Sequence, residues 1–188
     1  MSRLALTVIA LCAMTLVIPA NIVCADEVLD WNAHAAKAIV TVGGQVPPRA
    51  LIRLAMVHLA IYDAVNAIEG APFEGYASVP AVDRPASEEA ATAAAAHDVL
   101  VALFPAQVAD LDAKYAASLA ALPDGSAKAN GIVVGQQAAS AILSKRAEDG
   151  RDASVIYTPG SGPGIWVPTP RRFSPRWLRK PRSCSPLP

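Results

Sequence analysis

Glycine and proline stops cut this chain into pieces of helical length. Gly43-Gly44, Gly70, Pro105, Pro123-Asp124-Gly125 and Gly150 each end the stretch before them. Glycine tolerates the left-handed backbone that follows a helix, and proline lacks the amide that would continue one. Between the stops the residues favour helix. Asp30 is placed to cap a first helix through Trp31 to about Val42. Pro47-Pro48 opens a second, from Arg49 to about Ile68, because proline fits a first turn. In it Leu51, Leu54, Ala55, Val57, His58, Ile61, Val65 and Ile68 recur at three- and four-residue steps. Residues 71–86 read as loop. Ser87 caps a third helix, with Glu88 and Glu89 in its first turn, and alanines 93–96 carry it to Phe104. A fourth is expected over about 106–121 and a fifth from Ser126 to about Glu148. No stretch shows a strand pattern. The predicted fold is all-α, an incomplete helical bundle of four to five helices with an irregular C-terminal arm.

Apolar residues make up 53% of the chain and aromatics only 5%. Much of that apolar share is alanine, which favours helix but buries little area, so a thin core is expected. Gly131 and Gly135 lie four apart beside Ala138, Ala139 and Ile142. Such a strip lets another helix approach closely. In a membrane it would suggest dimerisation. Gln136, Gln137, Lys145 and Arg146 point instead to tight packing inside a soluble bundle.

The first 25 residues read as a signal peptide. Arg3 supplies a positive start, Leu4 to Ile18 an apolar segment, and Val23-Cys24-Ala25 a cleavage site after Ala25. The alternatives are an uncleaved anchor and, less well matched, a lipid attachment at Cys24 behind the bulky Val23. The expected location is exported, periplasmic or secreted, with no stable membrane span after cleavage. Cys12 and Cys24 then leave with the signal, and Cys184 alone cannot form an internal disulfide or a cysteine metal site. The domains expected are 1–25 signal, 26–150 helical body, 151–170 Gly/Pro-rich arm and 171–188 basic disordered tail.

Charge divides the chain in the same place. The 16 basic and 16 acidic residues cancel overall. Yet Arg171, Arg172, Arg176, Arg179, Lys180 and Arg182 stand in a tail with no acid. A basic tail can meet nucleic acid or anionic lipid. Its proline richness favours a solvated tail, and no nucleic-acid partner is expected.

Candidate chemistry is sparse. His34, His58 and His97 fall singly on predicted helices, with no His-x3-His pair. His58 and Asp63 are five apart, poor spacing for joint ligation from one face. Tyr62, Asp63 and Asn66 form a polar cluster suited to a buried network that fixes neighbouring helices. Gly160-Ser161-Gly162 lacks the Gly-Lys-Ser/Thr ending of a phosphate loop and the context of a hydrolase elbow.

An ordered set of segments carries a resemblance. It begins with Asp30-Trp31-Asn32, then Pro47-Pro48-Arg49-Ala50 leading to Ala55-Met56-Val57-His58-Leu59-Ala60-Ile61-Tyr62-Asp63-Ala64-Val65-Asn66. Val99-Leu100, Leu103-Phe104-Pro105, Leu122-Pro123-Asp124-Gly125, Gly135-Gln136, Arg146-Ala147 and Asp149-Gly150 follow. Tyr157-Thr158-Pro159-Gly160, Gly162-Pro163-Gly164, Trp166 and Pro168-Thr169-Pro170 complete it. Over about 28–170 the chain resembles the N-terminal half of bacterial vanadium-dependent haloperoxidase-like proteins, in the type-2 phosphatidic acid phosphatase superfamily. The resemblance implies an all-helical bundle. It also implies a family chemistry in which several cations and an apical histidine hold vanadate or phosphate. The motifs for that pocket are a lysine with a following Arg-Pro, a Pro-Ser-Gly-His segment and a Ser-Arg segment ending in histidine. None occurs in these 188 residues. No catalytic, cofactor-binding or metal residue is therefore carried over, and vanadate is expected only for an intact relative.

The tail departs from the family pattern. After Pro168-Thr169-Pro170 an apolar Ala/Pro-rich continuation is expected, and Arg171-Arg172-Phe173-Ser174-Pro175-Arg176-Trp177 stands there instead. A frameshift in a GC-rich gene would leave such a segment, and the coding DNA decides it. The favoured reading is thus a truncated, inactive member of this family whose exposed apolar helix faces drive self-association. The alternatives are an exported helical partner-binding module and a binder of anionic surfaces through the tail.

Overall fold

A computed structural model describes residues 27–150, 158 and 160–165. Five α-helices pack together in it, and no strand occurs among the described residues. Helix α1 is Glu27–Ala36 and runs on as a π-helical stretch, Lys37–Val42. Helix α2 is Pro47–Ile68, and α3 is Glu88–Leu103. A 3₁₀ turn, Pro105–Gln107, leads into α4, Val108–Ala120. Helix α5 is Ser126–Lys145.

The stop signals act as their chemistry requires. Pro47 and Pro48 occupy the first turn of α2, where their missing amides cost nothing. At the other end Gly70 (φ 82°) and Ala71 (φ 56°) both turn left-handed, and the Ala71 amide bonds back to the Asn66 carbonyl at 2.7 Å. The Ser87 hydroxyl accepts from the Ala90 amide at 3.1 Å and donates to Glu89 at 2.8 Å, so the expected N-cap is formed.

Three boundaries differ from the sequence reading. Asp30 is not an N-cap. It lies inside α1, whose described part begins at Glu27, and the extra turn is held because the Trp31 indole donates to Glu27 at 2.8 Å. The last six residues of the first helix widen to a π-helix, in which the Gly43 amide reaches the Ala38 carbonyl at 2.9 Å. Helix α5 ends at Lys145 rather than near Glu148, because Arg146 turns its guanidinium onto Asp149 at 2.6 Å.

Helix α3 is the hub. It packs against α1, α2, α4 and α5, most extensively against α5. Its alanines explain how one helix can meet four neighbours. Ala90, Ala91 and Ala93 to Ala96 are all fully buried, and small side chains let each partner come close. Gly131 and Gly135 of α5 complete the approach. A β-carbon on Gly131 would overlap the Ser87 carbonyl oxygen, and one on Gly135 would overlap that of Ala91. The strip expected to pack internally does so.

Around this alanine-lined seam stand a few large, fully buried side chains: Trp31, Ile39, Met56, Leu100, Leu111 and Ile142. Each contributes about 1.5–3 kcal/mol by leaving water. Helix α4 is held least, with Leu111 its single buried residue. The apolar pattern of α2 extends past what the body covers. Leu51 stays 67% exposed and Tyr62 39%, and Val40, Val42 and Val46 are exposed where α1 joins α2.

The expected signal peptide and basic tail lie outside the described residues, as do Cys12, Cys24 and Cys184. Of the Gly/Pro-rich arm, Gly162 to Ile165 form an exposed turn closed by the Ile165 amide on the Gly162 carbonyl.

Candidate functional site

Two polar centres interrupt this apolar body. The first lies at the C-terminal end of α2, where Tyr62, Asp63 and Asn66 fall within about one turn. Asp63 is buried and accepts the Tyr76 and Ala77 amides, both at 2.7 Å. Asn66 gives its amide to the Phe73 carbonyl at 2.9 Å and takes the Phe73 amide at 3.1 Å. The Tyr62 hydroxyl donates to the Glu74 carbonyl at 2.9 Å. The three side chains thus form a network, as their clustering predicts. They fix the 71–86 loop, however, rather than neighbouring helices. Loop backbone needs partners once it packs on a helix, and short polar side chains at a helix end supply them.

A cavity of about 330 Å³ opens beside this clamp, lined in part by Asp63, Asn66, Phe73, Tyr76, Ser78 and Lys145. The ammonium of Lys145 lies over the Tyr76 ring at 4.8 Å, and Arg146 donates to the Tyr76 hydroxyl at 2.9 Å. Those contacts raise the Arg146 pKa, first through the bond to Tyr76 and then through Asp149. Each carboxylate oxygen of Asp63 is engaged by one loop amide.

The second centre joins three helices and was invisible as a unit in the sequence. His97 of α3 bonds Asp98 through Nδ1 at 2.8 Å and Asp112 of α4 through Nε2 at 2.9 Å. Its ring stacks on Tyr115 of α4 at 4.4 Å and meets the edge of Trp31 of α1 at 6.4 Å. His34 also meets Trp31, in a T-shaped contact at 5.4 Å. Burial lowers the His34 pKa, and nearby Lys114 lowers it further. Sequence spacing offered one clue, the adjacency of His97 and Asp98. Nothing in it linked His97 to Asp112, Tyr115 or Trp31, which lie on other helices.

His58 goes elsewhere. Its Nε2 meets Asn32 Oδ1 at 3.0 Å, tying α2 to α1, so His58 and Asp63 are not brought together. Each of the three histidines is therefore a packing or hydrogen-bonded residue. Gln107 likewise serves structure, donating to the Ala38 carbonyl of the π-helical stretch at 2.9 Å.

The fit of an oxyanion such as vanadate is decided by where the cations point. Lys114 pairs with Asp110, Lys128 with Asp124 at 2.9 Å, and Arg146 with Asp149. Arg53 lies over the Phe104 ring at 5.2 Å. Lys114, Lys128 and Arg146 are thus each paired with a separate carboxylate, while Lys145 and Arg146 both meet Tyr76. Among the described residues no cluster of three or more His, Cys, Asp or Glu is arranged to hold a metal ion. No family model, curated protein or solved structure matches the chain.

Proposed function

We propose that this chain supplies the front helical layer of a bundle similar to that of vanadium-dependent haloperoxidase-like proteins, and that it turns over no substrate alone. The observation that supports this most is the state of α2. By length and composition Pro47–Ile68 is apolar enough to cross a membrane, yet 44% of its most apolar 18-residue window is buried in the body. A helix buried on one side and apolar on the other suits the inner layer of a larger bundle. Leu51 and Tyr62 then mark the face that further helices cover. An intact relative would oxidise halides with peroxide or hydrolyse phosphate esters. The motifs for either reaction are missing from this sequence.

The same exposed residues are proposed to drive self-association when the chain is alone. On this reading the protein is exported and cleaved after Ala25, which N-terminal sequencing of the mature product checks. The activity claim is tested by adding orthovanadate, peroxide and bromide to the full chain, and separately a chromogenic phosphate ester. Background rates are expected in both. Robust turnover in either overturns the proposal.

A second reading rests on Val40, Val42, Val46 and Leu51, exposed around the join of α1 and α2. They also suit a helical module that binds a partner protein. Retention of one stoichiometric partner from the exported fraction, abolished by Leu51→Glu, would favour that reading.

A further inference from the structure

We infer that His97 is a proton-operated latch. Doubly protonated, it ties α4 to the body through Asp112, and when it loses a proton α4 loosens. A neutral imidazole has one N–H, and the other nitrogen bears a lone pair. Both ring nitrogens of His97 face carboxylate oxygens, at 2.8 and 2.9 Å, and carboxylates only accept. Both bonds exist together only in the imidazolium. Loss of one proton sets a lone pair against a carboxylate, and one contact must open.

Geometry selects which. Asp98 adjoins His97 on α3, and its side chain is 34% exposed, the less exposed of the two acids. Asp112 belongs to α4, and its side chain is 57% exposed against 12% for His97, so it can turn to water. Little else holds α4. It packs on α3 and the 3₁₀ turn, with Leu111 as its one buried residue and Tyr115 stacked on His97 itself. The imidazole is thus both the polar tie and half of the aromatic contact.

The groups around His97 set the direction. Asp98 on its own helix and Asp112 on α4 favour the charged ring. Tyr115 on α4 carries no charge near neutrality, its own pKa raised by burial and by Asp98. On α1 the uncharged Trp31 ring meets His97, and Trp31 itself contacts Glu27 and His34. Lys114 of α4 is occupied by Asp110. Burial pulls the His97 pKa down, but its bonds to Asp98 and Asp112 and their charge outweigh that, leaving it above the ordinary 6.5. His34 titrates below 6.5, so the two histidines separate on a pH axis.

The test uses the full, unmodified chain. Histidine ring resonances are followed by NMR from pH 5 to 9. Amide exchange of Val108–Ala120 is measured over the same range and corrected for the intrinsic rate. His97 should titrate above 6.5, and α4 amides should lose about tenfold or more of their protection through that titration. Amides of Val134, Ala138 and Ile142 on α5 should keep theirs. In Asp112→Asn the His97 midpoint should fall and the pH dependence of α4 should disappear. Protection of α4 that stays flat through the His97 midpoint overturns the inference. So does a His97 midpoint at or below 6.5, or pH dependence that survives in Asp112→Asn.

Discussion

Gly135 of α5 rests directly on Ala91 of α3, with no room for a β-carbon between them. An added methyl would overlap the Ala91 carbonyl oxygen and fall 2.8 Å from Ala94 Cβ. Both obstacles are a helix backbone and its nearest side-chain atom, neither of which can swing aside. Gly135→Ala gains about 1 kcal/mol of helix propensity. It should still destabilise by about 1–3 kcal/mol net, because α3 and α5 must move apart along the widest contact in the body. Urea unfolding checks this, with Gln136→Ala on the exposed side of α5 expected within about 0.5 kcal/mol of the parent. A Gly135→Ala protein as stable as the parent would mean that the two helices are not so close.

Asp63 gives a second prediction. Its two oxygens accept the Tyr76 and Ala77 amides, and the carboxylate is buried. Asp63→Asn keeps the shape but offers one acceptor, with an NH₂ facing the second amide. A loss of about 1–3 kcal/mol is expected, with the loop around Tyr76 becoming the first segment to be cut by protease. Limited proteolysis with peptide mapping reads this. Unchanged cleavage of residues 71–86 would show that the loop is held by other means.

The stability profile should peak near neutral pH. His97 has a raised pKa, so its contribution is complete below 6.5 and is lost as pH rises through its folded value. His34 has a lowered pKa from burial and from Lys114, so its contribution is complete above 6.5 and is lost as pH falls through its folded value. The two limbs together place the best stability near 6.5. Thermal melts from pH 5 to 8.5 test it. His97→Gln should flatten the alkaline limb and His34→Gln the acidic one. Identical profiles for parent and variants would contradict the assignments.

The helices were legible because their signals are local. Pro47-Pro48, Gly70, Ser87 and Pro105 each act on the backbone within a turn or two of themselves. The Gly131 and Gly135 strip was legible for the same reason, as one helix face. Where Asp30 failed, a side-chain bond from Trp31 to Glu27 extended the helix beyond the residue that looked like its cap. The target of the Asp63 clamp was not readable, since Tyr76 and Ala77 enter through backbone amides that carry no sequence signal. The His97 centre was hidden more deeply. It is made by three helices crossing, and the choice of α3 as hub depends on which alanine faces are covered by which neighbours.

In the proposed role these helices form a layer of a larger bundle and not an oxyanion pocket. Oxyanion binding must precede either chemistry of the resembling family, so binding is the most direct measurement. Equilibrium dialysis of the full chain against orthovanadate, repeated with inorganic phosphate, reads it without relying on turnover. The account predicts no saturable site, because Lys114, Lys128 and Arg146 point to separate carboxylates. Stoichiometric, saturable binding of vanadate, competed by phosphate, would contradict it.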